Sequence, residues 1–392
     1  MTFWVVAGES SGDARAEELL KALRQLLPTF RFHGAGGPRM AALAEEPFDD
    51  WIAEAGVVGL WDVLRHYGYF RKKFHGMLLS IEETRPDAVL LVDYPGFNLR
   101  LARRLRKEGY SGRILYYISP QVWAWNRGRI AKMATFLDLM ICVFPFEQPM
   151  YEASGLKTVF AGHPLLEALV PEKSDTPRQS DLVGLFPGSR RREVQRIFPA
   201  QLEAARILLA KRPATQFEAA ASSEAHAEIM RGMARDFPVT ISSGHARELM
   251  RRASAGIVCS GTATLEAAFF GLPYCLIYKT AWLTFAVGRH LVDVDCLGIV
   301  NILNNYRLNP PADPRLPARP APHVVREFIQ DAADPEEMAA EVARLLDDHA
   351  YAAALQENFR NILGDLEAEG ASGRAARAIL DHLYTDSTVN TE

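Results

Sequence analysis

The sequence predicts a doubly wound α/β protein built from two similar halves, and three observations carry that expectation. Short apolar runs alternate with segments of helical periodicity along most of the chain. Glycine turns follow several of those runs, where a parallel strand hands over to a helix. Between the halves, Pro171 to Asp181 reads PEKSDTPRQSD, holds no aliphatic or aromatic residue, and marks a linker.

In the first half, Phe3 to Ala7, Phe30 to Gly34, Ala88 to Val92, Arg113 to Ile118, Leu139 to Phe144 and Thr158 to Ala161 read as strands. Their apolar character suits a parallel sheet covered by helices on both faces. The alternation restarts after the linker with Leu182 to Phe186, Gln216 to Ala220, Val239 to Ser242, Ala255 to Cys259 and Tyr274 to Tyr278. From Asp334 onward helical pattern dominates, and the tail 385–392 reads as frayed and disordered. The expected division is a first domain over 1–170, a linker over 171–181 and a second domain from 182 to 355. At 392 residues, two domains are the default.

Bulk properties exclude several classes. A net charge of −4 argues against a nucleic-acid platform. The four cysteines, Cys142, Cys259, Cys275 and Cys296, are far apart and form no CxxC pair, so they read as buried thiols in a reducing cytoplasm. No apolar stretch approaches the ~18 residues that span a bilayer, and the opening TFWVVAGE turns acidic too soon for a secretory signal.

The segment Ser260 to Pro273, SGTATLEAAFFGLP, follows the apolar run AGIVC and turns into a helix. That geometry places a helix N-terminus at the carboxyl end of a strand, where unpaired N–H groups and the helix dipole attract phosphate. Ser260, Gly261 and Thr262 are therefore candidate nucleotide-binding residues. Glu266, one turn deeper, would repel phosphate but suits two sugar hydroxyls. The competing reading is a helix capped by Thr262 or Thr264. A second turn, Pro187 to Glu193, supplies Ser189 and Arg190, whose guanidinium would reach the same diphosphate if the two strand ends are neighbours. Arg191 and Arg192 also fit a solvated helix face.

In the first half, Ala7-Gly8-Glu9-Ser10-Ser11-Gly12-Asp13 leads from strand into helix, and Gly8, Ser11 and Gly12 outline a second niche. Gly-x-Gly-x-x-Gly is absent, as is the Gly-Lys-Ser/Thr of a P-loop, so nicotinamide and P-loop chemistries lose support. Asp93 ends the strand Ala88 to Val92 in LLVDYPGFN and is the candidate base, its pKa raised by burial. The alternative for Asp93 is an Asx-turn over Tyr94 to Phe97. Asp13 is a second candidate that also suits a cap on its own helix. His163 ends the last first-half strand and faces the presumed hinge. Asp293-Val294-Asp295 spells a divalent-ion motif, but helix N-termini and Arg190 already offer charge neutralisation and no cluster completes a metal shell. No metal or cofactor is expected.

GESSGD, GPRM at Gly37 to Met40, SPQVWAW at Ser119 to Trp125, PFE at Pro145 to Glu147, GHP at Gly162 to Pro164, PGSRRREV at Pro187 to Val194 and SGTATLEAAFFGLP occur in that order. Together they resemble the lipid-A-disaccharide synthase family, over roughly residues 5 to 305. The resemblance implies a GT-B fold, two Rossmann-like domains with the active site in the cleft and C-terminal helices, 356–384, that return to the first domain. It implies inverting transfer of diacylglucosamine from UDP to the primary hydroxyl of diacylglucosamine 1-phosphate, with release of UDP. Asp93 and Arg190 fall on the family's aspartate and arginine. Asn301 matches a family asparagine near the nucleotide, although Val300 stands where the family usually has proline.

Acylated substrates ask for apolar access at a membrane surface. Val58, Leu60, Trp61, Leu64 and Phe70, beside Arg71, Lys72 and Lys73, fit an interfacial segment with a basic edge; core packing is the alternative. Asn98 to Lys132 holds nine Lys or Arg against Glu108 alone, suited to anionic headgroups or the acceptor phosphate. The expected location is cytoplasmic, peripheral on the inner face of the cytoplasmic membrane, with UDP-diacylglucosamine and diacylglucosamine phosphate as partners, no nucleic acid, and a homodimer left open. Six prolines between Tyr306 and His323 predict an extended excursion. Rival readings are a UDP-sugar 2-epimerase and a non-enzymatic lipid- or nucleotide-binding paralogue.

Overall fold

The structure, a computed structural model, describes residues 1–52, 67–124, 127–173, 177–280 and 296–385. The chain divides into two compact units. The first comprises Met1–Ala168, Asp313–Arg315 and Leu366–Glu392; the second comprises Leu169–Ala312 and Leu316–Asp365.

The first unit carries the strands β1 (Thr2–Ala7), β2 (Arg31–Gly36), β3 (Phe48–Asp50), β4 (Ala88–Val92), β5 (Arg113–Tyr117), β6 (Leu139–Cys142) and β7 (Thr158–Phe160). They pair in parallel in the order β3-β2-β1-β4-β5-β6-β7. Because helices cover both faces, Phe3 to Ala7 of β1 and all of β4 are buried, which explains their unbroken apolar runs. Phe3, Val5 and Ala7 pack with Leu19, Leu20 and Leu23 of the helix Ser10–Leu26 and with Ala375, Ala376 and Ile379 of the helix Ala371–Thr385.

The second unit repeats the plan with β8 (Gln179–Phe186), β9 (Gln216–Ala221), β10 (Val239–Ser243), β11 (Ala253–Cys259), β12 (Tyr274–Tyr278) and β13 (Glu327–Ile329). These are parallel in the order β10-β9-β8-β11-β12-β13. Both orders reverse at a switch point, between β1 and β4 and between β8 and β11. In such sheets ligands bind beyond the carboxyl ends of the strands that flank this point.

Four features differ from the sequence expectation. The edge strands β3 and β13 are three residues long, too short to show a period. The expected linker 171–181 overlaps the second sheet: β8 already begins at Gln179, and Arg178 donates to the carbonyls of Met250, Ala253 and Phe270. Of the expected returning segment 356–384, only the part from Leu366 belongs to the first unit. The helix His349–Gly364 stays with the second, stacking Phe359 on Tyr274 at 5.6 Å. Residues 306–308 are helical, inside Ile299–Leu308, and the proline-rich stretch after them folds back on that helix through Asn304, Asn305 and Asn309. At the carboxyl end, Thr385 is still helical, and 386–392 lie outside the described residues. Among the described residues no helix is long and apolar enough to cross a membrane.

Candidate active site

At the first switch point, Ala7 at the end of β1 pairs with Val92 at the end of β4, so Gly8 and Asp93 leave adjacent strands side by side. Asp93 and Tyr94 both adopt φ of 49°, a left-handed conformation unusual outside glycine. The backbone of Asp93 is held on every side. Its N–H donates to Tyr117 at 2.9 Å, and its carbonyl accepts from the Tyr116 hydroxyl at 2.6 Å and the Asn98 amide at 2.8 Å. The helix Pro95–Lys107 starts at Tyr94 with no side-chain cap, so Asp93 does not cap it. Burial, reinforced by the negative charge of Glu9, pushes the Asp93 carboxyl up to about 6, against a smaller opposing effect of the Tyr94 N–H.

Gly8 is required by packing: a Cβ there would lie 2.2 Å from the Tyr94 ring. That ring belongs to an aromatic wall. Trp51, fixed by its indole N–H to the Ala7 carbonyl at 2.8 Å, meets Tyr94 at 6.0 Å, Phe97 at 5.0 Å and Phe70 at 6.3 Å. Phe70 therefore joins the same cluster. Val58, Leu60, Trp61 and Leu64 lie outside the described residues, as do Asp293 and Asp295.

Asp13 is occupied otherwise. Its buried carboxylate accepts from the backbone N–H groups of Gly37, Arg39 and Met40 at 3.0, 3.1 and 3.1 Å. It caps the short helix Pro38–Ala41 rather than its own helix, and this accounts for GPRM beside GESSGD. Ser11 is exposed and Gly12 buried. His163 follows β7, three strands from β4, or about 14 Å at ordinary strand spacing. Its ring packs on Phe144 at 5.3 Å, and burial together with the nearby Arg15 charge lowers it to about 3, so it is neutral. The structure does not bring it to Asp93.

At the second switch point, Val258 pairs with Phe186, so the turns after β8 and β11 are neighbours. The helix Thr262–Phe269 has Gly261 as N-cap at φ 137°, with no side-chain cap, and the Thr264 hydroxyl donates to the Gly261 carbonyl at 2.7 Å. The alternative of a threonine-capped helix is thus overturned. Among the described residues no side chain caps the first N–H groups, and Gly261 takes a conformation that side chains rarely adopt. In the neighbouring turn, Glu193 accepts from the N–H groups of Ser189 and Arg190, each at 3.1 Å, and its other oxygen meets the Arg190 guanidinium at 2.8 Å. The Arg190 side chain is 73% exposed. This turn therefore offers a guanidinium, while its amides already serve Glu193.

Glu266, with its side chain 16% exposed, accepts on Oε1 from Nε and Nη2 of Arg247 at 3.1 and 3.0 Å. Asn301 departs from its expected role. It is buried, its amide N–H₂ donates to Val325 and Glu327, and its oxygen accepts from Val324 and Val325. It fastens β13 to the helix Ile299–Leu308 instead of facing an open surface.

Sequence reasoning assigned no role to Glu193, Arg247 or Glu147. Glu193 stands three residues after Arg190, a helix-start spacing that was readable. Glu147, fully buried, accepts from the Ser119 hydroxyl at 2.6 Å, the Trp123 indole at 2.8 Å and the N–H groups of Val143 and Phe144. Burial pushes its carboxyl up to about 7 against these four donors. It ties PFE to SPQVWAW, so two of the ordered blocks are one structure.

A family model described as Lipid-A-disaccharide synthetase matches residues 3–314. Relatives named Lipid-A-disaccharide synthase include one from Trichlorobacter lovleyi, 39% identical over 390 residues, covering 96% of each chain. Another, from Nitrosococcus oceani, is 37% identical over 93% of this chain and 92% of its own. Among solved structures, the UDP-GlcNAc 2-epimerase from Neisseria meningitidis bound to UDP-GlcNAc has a TM-score of 0.62 at 11% identity, covering 97% of this chain and 100% of that one. A putative UDP-N-acetylglucosamine 2-epimerase from Listeria monocytogenes gives 0.61 at 12% identity, covering 98% of this chain and 97% of that one. At such identities these likenesses speak for the fold, which is GT-B. The family match and the near-complete relatives go further: this chain belongs to the lipid-A-disaccharide synthetase family, glycosyltransferases of lipid A biosynthesis.

Proposed function

We propose that this chain transfers 2,3-diacylglucosamine from UDP to the primary hydroxyl of 2,3-diacylglucosamine 1-phosphate, with inversion at the anomeric carbon. The observation that carries the reading is Asp93, a carboxylate on a firmly held backbone at a switch point, whose pKa of about 6 leaves it ionised at neutral pH yet basic enough to accept a proton. The acceptor oxygen attacks the anomeric carbon, its proton passes to Asp93, and the bond to UDP breaks with its electron pair leaving on the β-phosphate. One base suffices for a single displacement.

In the second unit, the uncapped N–H groups after Gly261 and the exposed Arg190 guanidinium are suited to the charge that develops on the departing diphosphate. Glu266 accepts hydrogen bonds from the ribose hydroxyls. The aromatic wall around Trp51 and Phe70 supports the view that acyl chains pass beside Asp93. The exposed Arg100, Arg103 and Lys107 fit attraction to anionic headgroups, consistent with peripheral binding at the inner face of the cytoplasmic membrane.

The test is mass spectrometry of the products from UDP-2,3-diacylglucosamine and 2,3-diacylglucosamine 1-phosphate. The expected products are the acylated disaccharide 1-phosphate and UDP, with Asp93→Asn abolishing turnover while UDP-sugar binding stays nearly intact. Isomerisation of UDP-N-acetylglucosamine without disaccharide formation would replace this reading with an epimerase.

A further inference from the structure

Arg247 stands at the start of the helix Ala246–Arg252, which follows β10, and its guanidinium lies between two carboxylates. On one side Nε and Nη2 meet Glu266 Oε1 at 3.1 and 3.0 Å. On the other, Nη1 meets Glu172 Oε1 at 2.6 Å. Glu172 is itself held, because Arg251 donates to its carbonyl at 2.8 Å and approaches its second oxygen at 3.5 Å. Arg251 lies over the Phe270 ring at 5.5 Å, just past the end of the helix that bears Glu266.

A carboxylate one turn into a helix, on a side chain with three rotatable bonds, would sample several rotamers if left alone. Two guanidinium N–H groups converging on one oxygen select among them, and Glu172 in turn fixes the guanidinium. A carboxylate offers about four lone-pair sites, so an ion pair with Arg247 does not by itself exhaust it.

We propose that Arg247, braced by Glu172, is a positioning residue that aims Glu266 at the ribose of the donor. This rests on the reading that the second unit binds UDP through Glu266. The alternative is an ion pair between partly exposed groups that serves stability alone, for which contributions are small. The two differ in what they do to the ribose. A stability role would leave the preference for ribose hydroxyls untouched in the folded protein, whereas a positioning role makes that preference depend on Arg247.

The experiment measures the affinities of the full-length protein for UDP and for 2′,3′-dideoxy-UDP by calorimetry, in wild type, Glu266→Gln, Arg247→Gln, Arg247→Lys and Glu172→Gln. Wild type is expected to prefer UDP by about tenfold or more, the range of hydrogen bonds to a charged group. Glu266→Gln and Arg247→Gln should each lose most of that preference, and the double variant should lose no more than either alone. Glu172→Gln, a milder change that tests the brace should Arg247→Gln fail to fold, should lose part of it. Arg247→Lys should restore little, because one ammonium cannot fork across both carboxylates. If Glu266→Gln erases the preference while Arg247→Gln and Glu172→Gln keep it, the positioning role is wrong and the Glu266 reading stands. If Glu266→Gln itself keeps the preference, the ribose reading fails and the inference fails with it.

Discussion

Asp93→Asn should make the protein inactive and, above pH 6, more stable. The carboxyl has its pKa raised from 3.8 to about 6, chiefly by burial and then by Glu9. Two pH units correspond to about 3 kcal/mol at about 1.4 kcal/mol each, an upper bound for what ionised Asp93 costs the fold. The sign follows from proton binding. Between pH 3.8 and 6 the folded state holds a proton that the unfolded chain has released, so stability falls as pH rises through this window and levels off above it. Asparagine cannot ionise and escapes that loss. The expected gain is small near pH 4 and reaches up to about 3 kcal/mol at pH 8; at about 2–4 °C per kcal/mol for a unit of 150–250 residues, the melting temperature rises by up to about 10 °C. Scanning calorimetry of both full-length proteins at pH 4 and pH 8 reads this directly. A variant no more stable than wild type at pH 8, or one stabilised equally at both pH values, would refute the argument that burial of this charge sets its pKa.

The acid limb of kcat/KM should fall near pH 6 instead of near 4, and Glu9→Gln should move it downward, because removing a negative neighbour makes Asp93 easier to ionise; stopped-assay pH profiles of the two proteins check this. Gly8→Ala places a Cβ 2.2 Å from the Tyr94 ring and displaces the residue that follows Asp93, so kcat should fall by about tenfold or more while UDP affinity in the second unit is unchanged. Gly261→Ala meets no atom within 4 Å but forces φ of 137° on a residue with a side chain. It should cost about 1–3 kcal/mol of strain or reshape the cradle, and calorimetry should show weakened UDP binding. Glu147→Ala leaves the Ser119 hydroxyl, the Trp123 indole and two backbone N–H groups without their acceptor. Its unfolding free energy should drop by about 3 kcal/mol or more, with Glu147→Gln intermediate, as denaturant titration would show.

The strands were readable because parallel strands covered on both faces must be apolar throughout, and β4 and β12 fall on the residues that their runs named. β3 and β13 were not, since Phe48–Asp50 and Glu327–Ile329 are three residues long and carry acidic side chains in place of an apolar run. Asp93 and the turn at Ser260 were legible from position alone: each ends a strand flanking a switch point. What pairwise spacing could not supply was the use of each polar atom. Asp13 and Asp93 look alike in sequence, but three backbone N–H groups from Gly37 to Met40 converge on one and burial beside Glu9 isolates the other. Arg247 lies 19 residues before Glu266 and 75 after Glu172, and only the packing of two helices of the second unit beside the segment that carries Glu172 brings the three together.

The two switch points solve opposite problems with opposite backbones. Where a single charged side chain must point, a Cβ is needed, and at the ends of the neighbouring strands β4 and β5 left-handed φ falls on residues that have one: Asp93, Tyr94 and Ile118. Each such residue costs about 1–3 kcal/mol and persists only if its surroundings over-determine it. They do: Asp93 bonds to Tyr117, Tyr116 and Asn98, Ile118 donates to Ile141, and the next residue, Ser119, is tied to Glu147. Where backbone N–H groups must approach a ligand, a side chain is an obstacle, and the turn after β11 gives its unusual φ of 137° to Gly261. A carboxylate aimed by strain and an amide cradle opened by glycine are what a proton-accepting site and an anion-binding site respectively require. The backbone at each switch point thus fits the role proposed for it, independently of any side chain that a relative might exchange.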